Sequence, residues 1–164
     1  MVDLVTRYCS ICATERESPA SPLDGLEATP SLLRAAFERA GAAAAAAGWS
    51  PPEVVAHLAD TEIVFGWRLR QILAEDEPVL APYDEQLWAS ALRYDERDMS
   101  VALATFAAVR AADVELIRRA GDAALSRTYV QPEYGRRTLG ELLQHRADHD
   151  IQHLRQIEAA EARS

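Results

Sequence analysis

Three of the four histidines recur at every fourth position in the segment HRADHDIQH, as His145, His149 and His153. Residues four apart on an α-helix lie about 40° apart around its axis and about 6 Å apart along it, so two imidazoles at that spacing can grip one metal ion. Three in a row cannot easily do so, because the outer two are separated by about 12 Å along the axis. The apolar pattern of the segment indicates which histidine has another role. Leu139, Leu143, Leu154 and Ile157 define a buried stripe. On a wheel of about 100° per residue, His153 falls on the shoulder of that stripe, His149 about 40° further round, and His145 further still toward solvent. The pair best placed to face a bundle interior is His149 with His153. The remaining histidine, His57, sits on the shoulder of a second stripe, built from Val54, Leu58, Phe65, Leu69 and Ile72. Alone it would be a hydrogen-bonded structural residue more often than a ligand. With the pair it completes three nitrogen donors that leave coordination positions open, the pattern of catalytic zinc; nickel, copper or iron would accept the same donors.

Several other polar residues call for an explanation. Arg146 and Asp150, also four apart, project onto the apolar face of the last helical segment. Buried charges need partners, so the two are either an internal ion pair or a group that supports the metal or holds substrate. Asp60 follows His57 by three and either orients it or is a solvated helix charge. Asp148 projects toward solvent. Trp49, Trp67 and Trp88 read as packing residues, while Tyr83, Trp88 and Tyr94 are candidates for a pocket mouth. Cys9 and Cys12 form an isolated CxxC with no second pair to complete a four-cysteine site and no thioredoxin-like surroundings; they read as two incidental thiols.

Composition narrows the function classes. All 17 basic side chains are arginine, which excludes a Schiff-base lysine and a P-loop lysine. A formal charge of -9 argues against nucleic acid and against anionic membrane surfaces. No apolar run approaches the roughly 20 residues that span a bilayer, and the N-terminus lacks the apolar stretch of a secretory signal. The expectation is a cytoplasmic protein acting on a small molecule.

Alanine, leucine, glutamate and arginine dominate over 164 residues, a helical composition sized for one domain. Residues 1–25 form a poorly patterned extension. The first helix is expected from Thr29 as cap, through Pro30 and the alanine run, to Gly48. A second starts at Ser50, with Pro51, Pro52 and a capping-box Glu53, and runs to about residue 75. A long connection follows, with a short helix around Asp84 to Leu92. The third long helix spans Ser100 to Gly121, and the last is capped by Thr138 after a turn-rich link. Four such helices with one long crossover between the second and third give an all-α four-helix bundle.

The stretches WSPPEVVAHLADTE, PYDEQLWA, TFAAVR, PEYGRRTLGELLQH and HDIQHLRQI occur in the order that resembles the DinB/YfiT-like superfamily, over about residues 26–160. That resemblance implies an up-down-down-up bundle over residues 26–164. It also implies a divalent metal, zinc or nickel foremost, held by His57 together with His149 and His153. His145 lies outside the family's ligand scheme. Several members of the superfamily are mycothiol- or bacillithiol-dependent transferases, and some are isomerases. The resemblance thus implies a thiol-dependent S-transferase acting on small electrophiles, with a low-molecular-weight thiol as co-substrate and Arg146 or Arg68 as a holder of substrate carboxylate. Two alternatives stand beside it: a metal-activated-water hydrolase, with Asp60 or Asp150 as base, and a non-catalytic metal- or ligand-binding protein. The family also suggests a homodimer.

Overall fold

The computed structural model describes residues 2–41 and 48–162. Four long helices carry the fold: α1 (Pro22–Ala40), α2 (Pro51–Ala74), α4 (Met99–Ala120) and α5 (Leu139–Glu161); the short α3 (Glu85–Ala91) lies in the connection between α2 and α4. Two hairpins correct the all-α expectation: β1 (Leu4–Cys9) with β2 (Thr14–Pro19), and β3 (Thr128–Gln131) with β4 (Gly135–Thr138). The first hairpin occupies most of the extension expected to be unpatterned. It docks on α5 through polar side chains: Arg7 donates to Gln144 Oε1 at 2.9 Å, Ser10 to Glu141 Oε1 at 2.8 Å, and Arg155 to Glu17 Oε2 at 2.9 Å. A strand attached in this way shows no apolar alternation, which is why its sequence looked featureless.

Local signals account for most helix ends. Glu53 of α2 accepts from the Ser50 backbone N–H at 2.8 Å and from its hydroxyl at 2.6 Å, and the Thr138–Glu141 capping box starts α5. Asp98 caps α4 in place of the expected Ser100, accepting from the N–H groups of Ser100 and Val101. The first helix begins at Pro22 with Ser21 as its cap, so Thr29 and Pro30 lie inside it. Thr29 is buried and donates back to Gly25 O at 2.7 Å. Pro30 has no N–H for the carbonyl of Leu26 four residues earlier, and Arg110 of α4 donates to that carbonyl instead at 2.8 Å. The helix closes at Gly41, where φ is +56°; the alanine run and much of the stretch expected to continue to Gly48 lie outside the described residues.

Two apolar clusters fill the bundle. One takes Leu33 and Ala36 from α1, Val54 and Leu58 from α2, Phe106 from α4, and Leu154 and Ile157 from α5. The other takes Leu26 from α1, Phe65 and Leu69 from α2, Ile117 from α4, and Leu139 and Leu143 from α5. Between them in sequence, on every one of these helices, lie buried polar residues: Thr29, Glu62, Arg110, and Arg146 with Asp150. Among the described residues no helix is long and apolar enough to cross a membrane.

Candidate metal centre

Helix α2 delivers His57 and α5 delivers His149 and His153, so that one ring nitrogen of each lies within 4.8 Å of the others. His57 Nε2 and His149 Nε2 are 3.2 Å apart. Two nitrogens each about 2.0–2.1 Å from one tetrahedral ion would be about 3.3 Å apart, so the spacing fits a shared cation. His153 Nδ1 lies 3.0 Å from Gln156 Oε1, a bond that puts the proton on Nδ1 and leaves Nε2 as a donor to a metal. Trp49 packs over the rings, 4.6 Å from His57 and near-parallel to His153 at 6.4 Å, and its carbonyl accepts from Gln156 Nε2 at 3.1 Å. Neither Gln156 nor Trp49 was selected from sequence, although Gln156 lies three residues from His153 on the same helix, a spacing at which side chains meet.

The His149 ring faces Arg146, whose Nη1 lies 2.8 Å from Nδ1. A guanidinium only donates, so Nδ1 accepts and the ring proton sits on Nε2. Holding a metal at Nε2 therefore requires the proton on Nδ1 and Arg146 turned aside. All the imidazoles favour the neutral form. Burial, then His153 and Arg146, push His57 down to about 2. Burial lowers His153 to about 4 against the opposing bond to Gln156, and holds His149 well below the ordinary histidine range with help from Arg146.

Arg146 and Asp150 are indeed paired, and within a larger network. Glu62 accepts from Arg110 Nε at 2.5 Å and from Arg146 Nη2 at 2.9 Å; Asp150 lies 2.8 Å from Arg110 Nη1 and 3.3 Å from Arg146 Nη2. All four are buried. Burial opposes ionisation of Asp150, but the charges of Arg110 and Arg146 outweigh it and hold the carboxyl low. Of the two roles expected for Arg146, the internal ion pair is present, and the same side chain also touches a histidine of the cluster. Glu62 and Arg110 were missed, yet each carried a signal: Glu62 falls between Leu58 and Phe65 on their stripe, and Arg110 between Phe106 and Val114 on theirs.

Asp60 does not orient His57. It accepts from Arg97 at 3.2–3.3 Å, while the side chain next to His57 is Thr61, at 3.4 Å. Two wheel projections on α5 are corrected as well. Asp148 is only 1% exposed, and His145 is half-buried with its Nδ1 3.5 Å from Cys9 Sγ and 3.3 Å from Cys12 Sγ. The β1–β2 hairpin covers this face, which the bundle alone would leave wet. Burial, then Arg146 and Arg16, lower His145 to about 4, and burial with Cys9 raises the Cys12 thiol to about 11.

A cavity of about 410 Å³ opens beside His149, walled by Thr61, Arg68, Tyr83, His145 and Arg146 and by the β3–β4 turn at Glu133 and Tyr134. Tyr83 reaches Thr61 at 3.0 Å and packs on Trp88 at 4.8 Å. The third candidate for the mouth, Tyr94, is buried beneath Trp49 instead. Arg68 donates to Ala81 O at 2.6 Å and lies over the Tyr83 ring.

Fold and cluster together define a helical bundle that gathers three histidines, one of which, His149, walls a small-molecule-sized cavity. The chain belongs to the DinB superfamily, whose family model matches residues 23–157. It is 31% identical over 110 residues to a protein of Oceanobacillus iheyensis named a "putative metal-dependent hydrolase", covering 67% of this chain and 63% of that one. It is 30% identical over 86 residues to YfiT of Bacillus subtilis, which carries the same description, covering 52% of this chain and 48% of YfiT. The chain thus spans less than two thirds of the length of either curated relative. The solved structure of Bacillus subtilis YfiT, described as a probable metal-dependent hydrolase with an unusual four-helix bundle topology, superposes with a TM-score of 0.81 at 26% identity, covering 87% of this chain and 85% of that one.

Proposed function

We propose that this chain is a divalent-metal-dependent enzyme in which His57, His149 and His153 hold the ion, zinc or nickel, and the adjoining cavity takes a small-molecule substrate. The observation that carries the reading is the convergence of three neutral imidazoles from α2 and α5, with His149 among them also walling that cavity. A metal bound there supplies Lewis acidity that lowers the pKa of a thiol or water in its open positions. The chain's own residues do the rest. Gln156 fixes the tautomer of His153, Trp49 shields the rings from water, and Arg146 and Arg68 present positive charge to an anionic substrate.

Of the reactions compatible with such a centre, we favour thiol-dependent S-transfer to a small electrophile: the S–H proton passes to solvent, an S–C bond forms, and the bond from that carbon to the leaving group breaks, the group departing with the electron pair. The supporting observation is that, among the described residues, the cluster holds imidazoles alone, with no carboxylate among its donors; the carboxylates of the cavity wall are Asp84, Glu85 and Glu133, which stand with Tyr83 and the β3–β4 turn. Asp60 is engaged by Arg97, and Asp150 by two arginines. A metal-dependent hydrolase is the second reading, favoured by the descriptions of the relatives; a binding protein without turnover is the third. Assaying the metal-loaded chain with an electrophile, with and without a low-molecular-weight thiol, separates them. Metal-dependent thiol consumption supports transfer, thiol-independent turnover supports hydrolysis, and no turnover with metal retained supports binding alone.

An up-down-down-up course, with the crossover at residues 75–98, is part of the same reading. It is supported by the order in which the helices meet the two apolar clusters, α1 and α5 in one order and α2 and α4 in the other. A homodimer is part of the same proposal, and the exposed Ile63 and Trp67 of α2 offer it an apolar face. A cytoplasmic setting is likewise part of the proposal, resting on composition.

A further inference from the structure

The CxxC of the N-terminal hairpin, which lies outside the family match, forms a second cluster with the histidine that the first one leaves out. Cys9 ends β1 and Cys12 lies in the turn that follows; both sulfurs face Nδ1 of His145 on α5, at 3.5 and 3.3 Å. A sulfur about 2.3 Å and a nitrogen about 2.0–2.1 Å from one tetrahedral zinc would stand about 3.6 Å apart, close to both distances. Within the turn, the Cys12 backbone N–H points at Cys9 Sγ at 3.4 Å, and Ala13 N donates to Cys9 O at 2.9 Å. Closing this turn puts Ala13 at φ +56°, a region that non-glycine residues rarely adopt. The local backbone is therefore shaped to bring two sulfurs together at C-x₂-C spacing. An independent sign comes from Asp148, one helical turn beyond His145. Its Oδ1 accepts from Gln144, its Oδ2 is buried without a hydrogen-bond partner, and its charge bears on both Cys12 and His145. A buried anion with an unpartnered oxygen favours a cation nearby.

We propose that Cys9, Cys12 and His145 form a second metal site, for a thiophilic divalent cation of the zinc class, that pins the β1–β2 hairpin to α5. Two sulfurs and one imidazole select zinc-like ions over magnesium, calcium or manganese. The fourth tetrahedral position is left to solvent. The site is separate from the three-histidine cluster, sharing no donor with it, but His145 also lines the cavity beside His149. It thereby couples the placement of one cavity wall to the hairpin.

Cobalt(II) titration of the full, metal-free chain tests this, after reduction and with both thiols shown free by thiol titration. Thiolate coordination gives a near-ultraviolet sulfur-to-cobalt charge-transfer band that histidine ligands alone do not produce. The wild-type chain should bind about two ions with that band. His57→Ala should bind one fewer and keep the band; Cys12→Ser should bind one fewer and lose it. Should Cys12→Ser fail to fold by circular dichroism, His145→Asn, which keeps both cysteines, should weaken the band, and added zinc should abolish it in the wild-type chain. Absence of the band from wild-type protein with free thiols would overturn the second site. A single ion that carries the band and survives in His57→Ala would leave the second site standing and overturn the three-histidine one.

Discussion

At the scale of single residues, the account depends on which atom of each imidazole is free. His153 presents Nε2 because Gln156 holds Nδ1, so Gln156→Ala should weaken metal affinity by about 10- to 100-fold without removing a ligand, measured by competition with a chromogenic chelator. An unchanged affinity would mean that the Gln156 bond does not set the tautomer. The pairing of His149 with His153 was legible from spacing, because an i, i+4 pair on a helix is a local feature; that His57 of α2 joins them is shown by the fold. His145 was misplaced for the opposite reason. A wheel describes one helix in water, whereas the solvent side of α5 is covered by a hairpin more than 120 residues away in sequence. The same cover explains the error at Asp148. For Asp60 neither sequence reading, orienting His57 or standing as a solvated helix charge, names its partner, because Arg97 comes from beyond α3.

At the scale of the elements, a layer of charge holds the helices in register. Glu62 of α2, Arg110 of α4, and Arg146 and Asp150 of α5 pair with one another, and Arg110 also takes the Leu26 carbonyl that Pro30 strands in α1. All four long helices thus meet in one network between two apolar clusters. Removing Arg110 leaves two buried carboxylates, Glu62 and Asp150, sharing the single cation of Arg146, so Arg110→Met should destabilise the chain by about 3–5 kcal/mol in denaturant unfolding. A loss below about 1 kcal/mol would show that the network tolerates the change and does not organise the bundle. Helix starts were readable from Ser50 with Glu53 and Thr138 with Glu141, where a cap is written within four residues. The start of α1 was not, because two Ser/Thr-Pro pairs compete there: Ser21-Pro22 opens the helix, and Thr29-Pro30 is absorbed within it with help from Arg110.

For the whole molecule, burying neutral histidines ties stability to pH. His145 and His153 titrate near 4 when folded against about 6.5 when unfolded, so between those values the unfolded chain binds more protons. Stability from these groups is complete above about pH 6.5 and declines as pH falls toward 4, by up to about 1.4 kcal/mol per pH unit for each histidine. Thermal unfolding of metal-free protein should therefore drop in Tm from about pH 6.5 downward, and a flat profile to pH 4.5 would contradict the burial of neutral rings. Ligand linkage adds to this. With free metal about 100-fold above its Kd, the folded state gains about 2.7 kcal/mol, so chelation should lower Tm by roughly 5–10 °C.

The proposed chemistry stands on His57, His149 and His153 holding a metal ion. Its most direct test is elemental analysis in a Cys9→Ser/Cys12→Ser background, which removes sulfur ligands from the count, with and without His57→Ala. The double variant should carry about one zinc, nickel or similar ion per chain and lose that ion when His57 is replaced. Metal content that is unchanged by His57→Ala, or no metal in the double variant even after reconstitution, would contradict it.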